Sequence, residues 1–289
     1  FRWRRNVEWV AVLMPLGLLF LGFPIFIILI ATSAVILMFF TPVPWTAVHQ
    51  VMFGSVDKFA LMAVPFFIFA GELMGYGGIS KRIIDWVMSI IGGMRGSLPL
   101  TTVGTCTIFG AISGSSPATV AAVGRLLYPP LREKGYDEKF STGLLASSGA
   151  IAIVIPPSIS MILYGASAEV SVSQLFIAGI FPGLVMALLM AAYIYVYAVS
   201  KGIREGSKFD FQTFLQASRQ GVLSLGTPFI ILGGIYAGVF SPTEAAGAAC
   251  VYAIIVTKFI YTDLSWRALW DVSVSSMYLT AQVLIIVAG

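Results

Sequence analysis

Eight apolar runs divide this chain, at about 9–40, 59–79, 97–124, 140–165, 174–199, 221–240, 244–262 and 272–289. Runs of that length cross a hydrocarbon core of ~30 Å as helices, and a chain built from them has few other folds open to it. Charge supports the reading. Only 10% of residues are charged and 58% are hydrophobic, too little polar surface for a soluble domain. The expected fold class is an all-α polytopic membrane protein, multi-pass in an inner membrane.

The basic residues sit in short clusters between the runs. Lys81, Arg82 and Arg95 fill one gap; Arg125, Arg132, Lys134 and Lys139 the next; Lys201, Arg204, Lys208 and Arg219 another; Lys258 and Arg267 flank a fourth. The connections 41–58, 166–173 and 241–243 hold one Lys, Lys58. With the clusters and the basic start (Arg2, Arg4, Arg5) inside, 16 of 17 Lys and Arg are cytoplasmic. Scattered in this way they form no nucleic-acid-binding face. The segments Lys201–Lys208 and Tyr261–Trp270 read as amphipathic linkers on the cytoplasmic surface.

That assignment puts basic gaps on both sides of 97–124, so this run must return to the side it entered. Local chemistry agrees. Ser113-Gly114-Ser115-Ser116-Pro117 breaks a helix and starts another, with Ser116 as cap and Pro117 in the first turn. Two halves of roughly 14 residues, about 20 Å each, reach past the bilayer middle without spanning it. The expectation is a re-entrant hairpin. Its first half ends in free carbonyls near Ala111–Ser113, suited to a sodium ion; its second begins with amides near Thr119, suited to an anion. A second break is expected in 140–165, where Ser147, Ser148 and Gly149 precede an apolar linker and Pro156-Pro157-Ser158. A hairpin plus an interrupted helix is the pattern of a transporter repeat.

Four ordered motifs carry a resemblance: FFIFAGELM (Phe66–Met74), GAISGSSPAT (Gly110–Thr119), IPPSISMILYG (Ile155–Gly165) and FSPTEAAG (Phe240–Gly247). From about residue 10 onward the chain resembles the large membrane subunit of tripartite ATP-independent periplasmic (TRAP) transporters. The resemblance implies an elevator-type carrier of inverted repeats. It also implies uptake of carboxylate-bearing solutes, sodium as coupling ion with no other cofactor, and two partners, a small membrane subunit and a periplasmic substrate-binding protein. Matched to the motifs, sodium and substrate binding would fall to Ser113, Gly114, Ser115 and Ser116 at the tip. In the break it would fall to Ser147, Ser148, Gly149, Pro156 and Pro157. The chain departs from the family pattern at Ala152, where many relatives carry Gly.

The expected organisation is therefore transmembrane helices and a cytoplasmic connection in 1–96 and the hairpin in 97–124. A cytoplasmic loop and the interrupted helix follow in 125–165, then further helices opening a second repeat in 166–289. The chain opens on Phe1 and closes on Gly289 inside an apolar run, and is expected to be part of a longer polypeptide holding the second hairpin and ion site. Glu72, inside an apolar run but near its cytoplasmic end, is a candidate coupling residue. Ser241 and Glu244 have capping-box spacing.

Other classes are weaker. No nucleophile–base pair or metal-ligand cluster falls at membrane depth, so an enzyme is not expected. No phosphate loop is present for ATP hydrolysis. Cys106 and Cys250 both sit in apolar runs, against a disulfide or metal site. An ion channel would show a polar pore stripe. A scaffold subunit would have no use for a broken hairpin.

Overall fold

Polar residues at the ends of apolar runs set where the helices begin. In the computed structural model, which describes residues 2–44, 46–202 and 209–289 (side chains from residue 7), the order begins α1 (Arg2–Phe20), α2 (Ile25–Phe40), α3 (Thr46–Val56), α4 (Ala63–Tyr76), entered through a 3-10 turn (Phe59–Met62), and α5 (Ile79–Ile91). Then come α6 (Ser97–Ser113), α7 (Ser116–Glu133), α8 (Glu138–Ile151), α9 (Ile159–Ala168), α10 (Val172–Ser200), α11 (Phe211–Tyr236), α12 (Pro242–Ile254), running on as a π-helix (Ile255–Ile260), and α13 (Trp266–Ala288). The helices α7 to α13 each open on a Ser or Asp whose side chain accepts a first-turn amide: Ser115, Asp137, Ser158, Ser171, Asp210, Ser241 and Ser265. Ser241 and Glu244 form the expected reciprocal box, at 2.7 and 3.3 Å. At Asp210 the Thr213 hydroxyl, then the Thr213 and Gln212 amides, hold the carboxyl below its usual pKa.

Among the described residues, four stretches are long and apolar enough to cross a membrane: Phe59–Tyr76, Val172–Ser200, Pro242–Ile260 and Trp266–Ala288. Half the residues of the first are buried within the protein, against 17% in the most apolar 18-residue windows of α10 and α13, which turn most of their apolar surface outward, as lipid-facing helices do. The first and third run parallel. Thr243 donates to the Phe59 carbonyl at 3.3 Å near one end, Cys250 to the Phe66 carbonyl at 3.0 Å midway, and Thr257 packs on Gly77 near the other. Small residues along α12 (Ala246, Ala249, Ala253) permit that approach.

The connections gather on two faces. On one, Lys58 donates to the Ala166 carbonyl at 2.7 Å and pairs with Glu169 at 3.5 Å, close to Phe59 and Thr243. On the other, Arg82 pairs with Asp263 at 2.6 Å and lies 3.6 Å over the Tyr261 ring, while the Trp86 indole N–H donates to Ser218 at 3.0 Å. These are the groupings that the distribution of Lys and Arg implied. Arg204 and Lys208 lie outside the described residues, as does most of the Lys201–Lys208 linker.

Several expectations need correction. The run 9–40 is two helices, turning at Gly22 (φ +80°) ahead of Pro24. The connection 41–58 contains α3. Tyr261–Trp270 is no surface helix: a short loop ends at the Ser265 cap, and Trp266 already belongs to α13. The hairpin does not end at 124, because α7 carries on through Pro129 and Pro130 to Glu133. Its arms have 17 and 18 residues, about 26 Å each, not about 20 Å. Arg125 is thereby moved from a loop to the middle of a helix.

Candidate functional site

The chain folds back at Gly114, held at φ +62°, a left-handed conformation that glycine adopts without strain. Ser115 is the residue that caps the second arm, its Oγ accepting the Ala118 amide at 3.5 Å; the expected cap, Ser116, is the first helical residue. The hairpin starts and finishes beside the same end of α10. Gly96 packs on Ala198 (2.8 Å from an added Cβ), and Phe140, just past the second arm, stacks on Tyr197 at 4.5 Å. Arm α6 is enclosed on all sides, with only Gly104, Thr107 and Ile108 of its residues not buried.

At the tip the side chains close a ring. Ser113 Oγ lies 2.9 Å from Thr119 Oγ1, which in turn donates to the Ser115 carbonyl at 2.8 Å. Ser113 and Thr119 are fully buried. The first turn of α7 offers less to an anion than its sequence suggested: Pro117 has no amide and Ala118 is capped, so the uncommitted N–H is that of Ser116.

The interrupted element is α8, a break at 152–158, and α9. Ser158 caps α9, accepting from Met161 N at 3.4 Å, and its hydroxyl donates back to the Ile153 carbonyl at 2.6 Å. Pro156 and Pro157 are buried and joined by a cis peptide bond. Glycines let the backbones meet here. Gly179 and Gly183 of α10 lie directly against Val154 and Ile155, and Gly149 lies against Val120 and Ser116 of the hairpin. Ala152 is fully buried, and it is Gly110 on the opposing arm that makes room for it, an added Cβ there falling 2.7 Å from Ala152. Close approach survives the Ala because the glycine is supplied from the other side.

Tip and break touch. The Ile159 amide donates to the Gly114 carbonyl at 3.1 Å, and a Cβ on Gly114 would stand 2.6 Å from the Pro157 carbonyl oxygen. Ser113, Gly114, Ser115, Ser116, Gly149, Pro156 and Pro157 therefore belong to one locus. Ser147 does not join it: it is exposed, and its hydroxyl bonds back to the Gly143 carbonyl at 2.6 Å. Ser148 is fully buried on α8 with no hydrogen-bond partner for its hydroxyl, an unmet acceptor of the kind that needs explaining. Among the described residues no three His, Cys, Asp or Glu side chains converge, so the oxygens on offer are hydroxyls and carbonyls.

Three participants escaped the sequence reading. Thr119 was noted for its amide, but its hydroxyl does the bridging, and only the folded turn brings positions 113 and 119 together. Gly71 of α4 abuts the tip, an added Cβ falling 2.8 Å from Ser113 Cβ. Ser158 was visible only as a residue after two prolines. Glu72, one residue beyond Gly71, consequently lies close to the level of the tip and not at the helix end.

Paired helix ends in a hairpin and a broken helix, set among apolar helices of spanning length, define the class: an all-α polytopic membrane protein. The chain belongs to the family of the tripartite ATP-independent periplasmic transporter, DctM component, whose model matches residues 12–289. It is 42% identical over 246 residues to the isethionate TRAP transporter permease protein DctMQ of Oleidesulfovibrio alaskensis, covering 85% of this chain and 39% of that protein. It is 41% identical over 274 residues to the ectoine/5-hydroxyectoine TRAP transporter large permease protein UehC of Ruegeria pomeroyi (94% and 64%). To the C4-dicarboxylate TRAP transporter large permease protein DctM of Rhodobacter capsulatus it is 36% identical over 288 residues (95% and 66%). The chain thus spans less than two thirds of the length of these relatives, which are permeases and not enzymes.

Proposed function

We propose that this chain is the hairpin-bearing part of a sodium-coupled importer of small organic anions in the inner membrane. It would work with a small membrane subunit and a periplasmic substrate-binding protein. The observation that carries the proposal is the meeting of tip and break, where the Ile159 amide holds the Gly114 carbonyl and two helix ends face each other. In this reading the hairpin is re-entrant. The carbonyls closing α6, the Ser113 and Thr119 hydroxyls, and Ser148 are the oxygens that would hold sodium. The Ser116 amide, at the positive end of α7, is the group that would favour a substrate carboxylate. Of the solutes named for the relatives, the C4-dicarboxylates fit that class directly, while isethionate is a sulfonate and ectoine a zwitterion; what the three share is a small size and an anionic oxygen group, which supports an anion-favouring helix end. Sodium and substrate binding would be coupled reciprocally, each raising affinity for the other. Hairpin, α8, α9 and α10 would travel as one unit against α4, α12 and α13, an elevator.

The test is thiol labelling in the complete transporter with Cys106 and Cys250 replaced. Ser115→Cys probes the tip, and Ala118→Cys, beside a cavity between α4 and α7, probes it without removing a hydroxyl. Sodium, but not potassium, is expected to slow labelling at Ala118→Cys severalfold. Labelling that ignores sodium at both positions would remove the ion site from this locus.

A further inference from the structure

Glu72 and Arg125 are charged residues on apolar-packed helices, and neither belongs to the tip. Glu72 is half-buried on α4; Arg125 stands midway along α7. They line a cavity of about 220 Å³ whose other walls are small residues, Gly71 and Gly75 on α4 and Ala118, Ala121 and Ala122 on α7, closed at one end by Tyr76. Arg125 is the charge that shares this cavity with Glu72. Even so they make no ion pair within 4.0 Å: the guanidinium lies 4.9 Å from the centre of the Tyr76 ring, and its Nε donates to the Ala121 carbonyl at 3.3 Å. Arg125 is exposed, but Glu72 is an acid packed half-buried among apolar helices, a costly placement unless something requires it.

The seam between α4 and the hairpin explains the requirement. Its packing is Gly71 on Ser113 and Gly75 on Ala122 (3.5 Å between Cβ positions). Small residues meet at both contacts, with the Phe109 ring 3.8 Å from a Cβ on Gly75 beside them, so little interlocks to fix how far one helix has slid along the other. Glu72 and Arg125 are the opposed charges on this seam. At the other end of the same boundary Lys58 is fastened to the last turn of α9 through Ala166 and to Glu169.

We propose that Glu72 and Arg125 are a positioning pair that sets the register of the hairpin against α4, their separation changing as the hairpin unit moves. The inference rests on the reading of that unit as mobile. A shift of one helical turn, about 5.4 Å, is enough to change which small residues face each other.

The experiment uses the complete transporter lacking Cys106 and Cys250 and carrying Gly75→Cys with Ala122→Cys, whose Cβ spacing suits a disulfide in the register seen here. Oxidation rate is measured without sodium or substrate, in parallel with uptake by the same variants lacking the cysteine pair. Glu72→Gln and Arg125→Gln are each expected to change the rate at least fivefold. Combined they should do no more than either alone, and the exchange Glu72→Arg with Arg125→Glu should bring rate and uptake back toward the parent. Glu72→Asp, which keeps the charge on a shorter arm, should fall between and serves if the exchange does not fold. Rates unmoved by the single changes, or effects of the two that multiply independently, would overturn the pair. Because the crosslink needs no sodium, it can fail while sodium protection at Ala118→Cys holds, and the converse.

Discussion

Ser113 shows how much one residue at a helix end can be asked to do. Its Cβ fills the space that Gly71 leaves, its hydroxyl bridges to Thr119, and its carbonyl is among the last of α6 with no intrahelical donor. Ser113→Ala keeps the packing and the Thr119–Ser115 bond, so a stability loss of only about 1 kcal/mol is expected. If the hydroxyl also holds sodium, half-saturation for sodium in uptake should rise about tenfold, equivalent to roughly 1.4 kcal/mol. Gly114→Ala separates the two contributions in the opposite sense. It strains a left-handed residue by about 1–2 kcal/mol and drives a methyl into the Pro157 carbonyl, so thermal unfolding in detergent should move before any ion dependence is reached. The helix-breaking chemistry of Ser113–Pro117 was open to reading because it is local. Thr119, Gly71 and the Gly110–Ala152 contact were not, since each exists only between segments that the fold brings together.

Helices of similar composition play opposite parts. Both α6 and α10 are apolar all round; α6 is enclosed by α5, α7, α8 and α10, and α10 looks mostly outward. Sequence periodicity cannot separate them, because a helix apolar on every face satisfies either setting. The glycines of α10 do separate its faces. Gly179 and Gly183, one turn apart, receive the break at Val154 and Ile155. On α11, Gly233 faces open space. A methyl at these two positions should therefore act with opposite sign. Gly183→Ala presses on Ile155 and should cost about 1–3 kcal/mol, together with uptake. Gly233→Ala, in an exposed helix interior, should gain about 0.5–1 kcal/mol and leave uptake alone. Melting temperatures of the purified protein decide it, and equal shifts at both positions would mean that α10 does not support the break. The same element-level view explains the misplaced hairpin end. The basic cluster opening at Arg125 signals a loop, but α7 carries Arg125 and Arg132 within the helix and continues through Pro129-Pro130 to Glu133.

Across the whole molecule, the distribution of seventeen basic residues divides the connections between two sides, and the contacts Lys58–Glu169 and Arg82–Asp263 fall one in each group. What charge counting could not supply is the seam between hairpin and α4, which consists of missing side chains. Sidedness itself is open to a direct check with three exposed positions: Val170 between α9 and α10, Lys81 on α5, and Lys139 just past the hairpin. In the cysteine-free transporter, Val170→Cys should react with an impermeant thiol reagent in intact cells. Lys81→Cys and Lys139→Cys should react only once the membrane is opened. The pair Lys81 and Lys139 carries the weight, because they flank the hairpin in sequence. A hairpin that returns to its own side places them together, whereas arms of about 26 Å arranged as a single crossing would place them apart. Labelling of Lys139→Cys from outside with Lys81→Cys protected would therefore end the re-entrant reading, and with it the argument that the Gly114–Ile159 contact lies at membrane depth. Protection of both, with Val170→Cys exposed, would leave the tip buried between two faces and reachable only through the protein, which is where a broken backbone in a bilayer can persist.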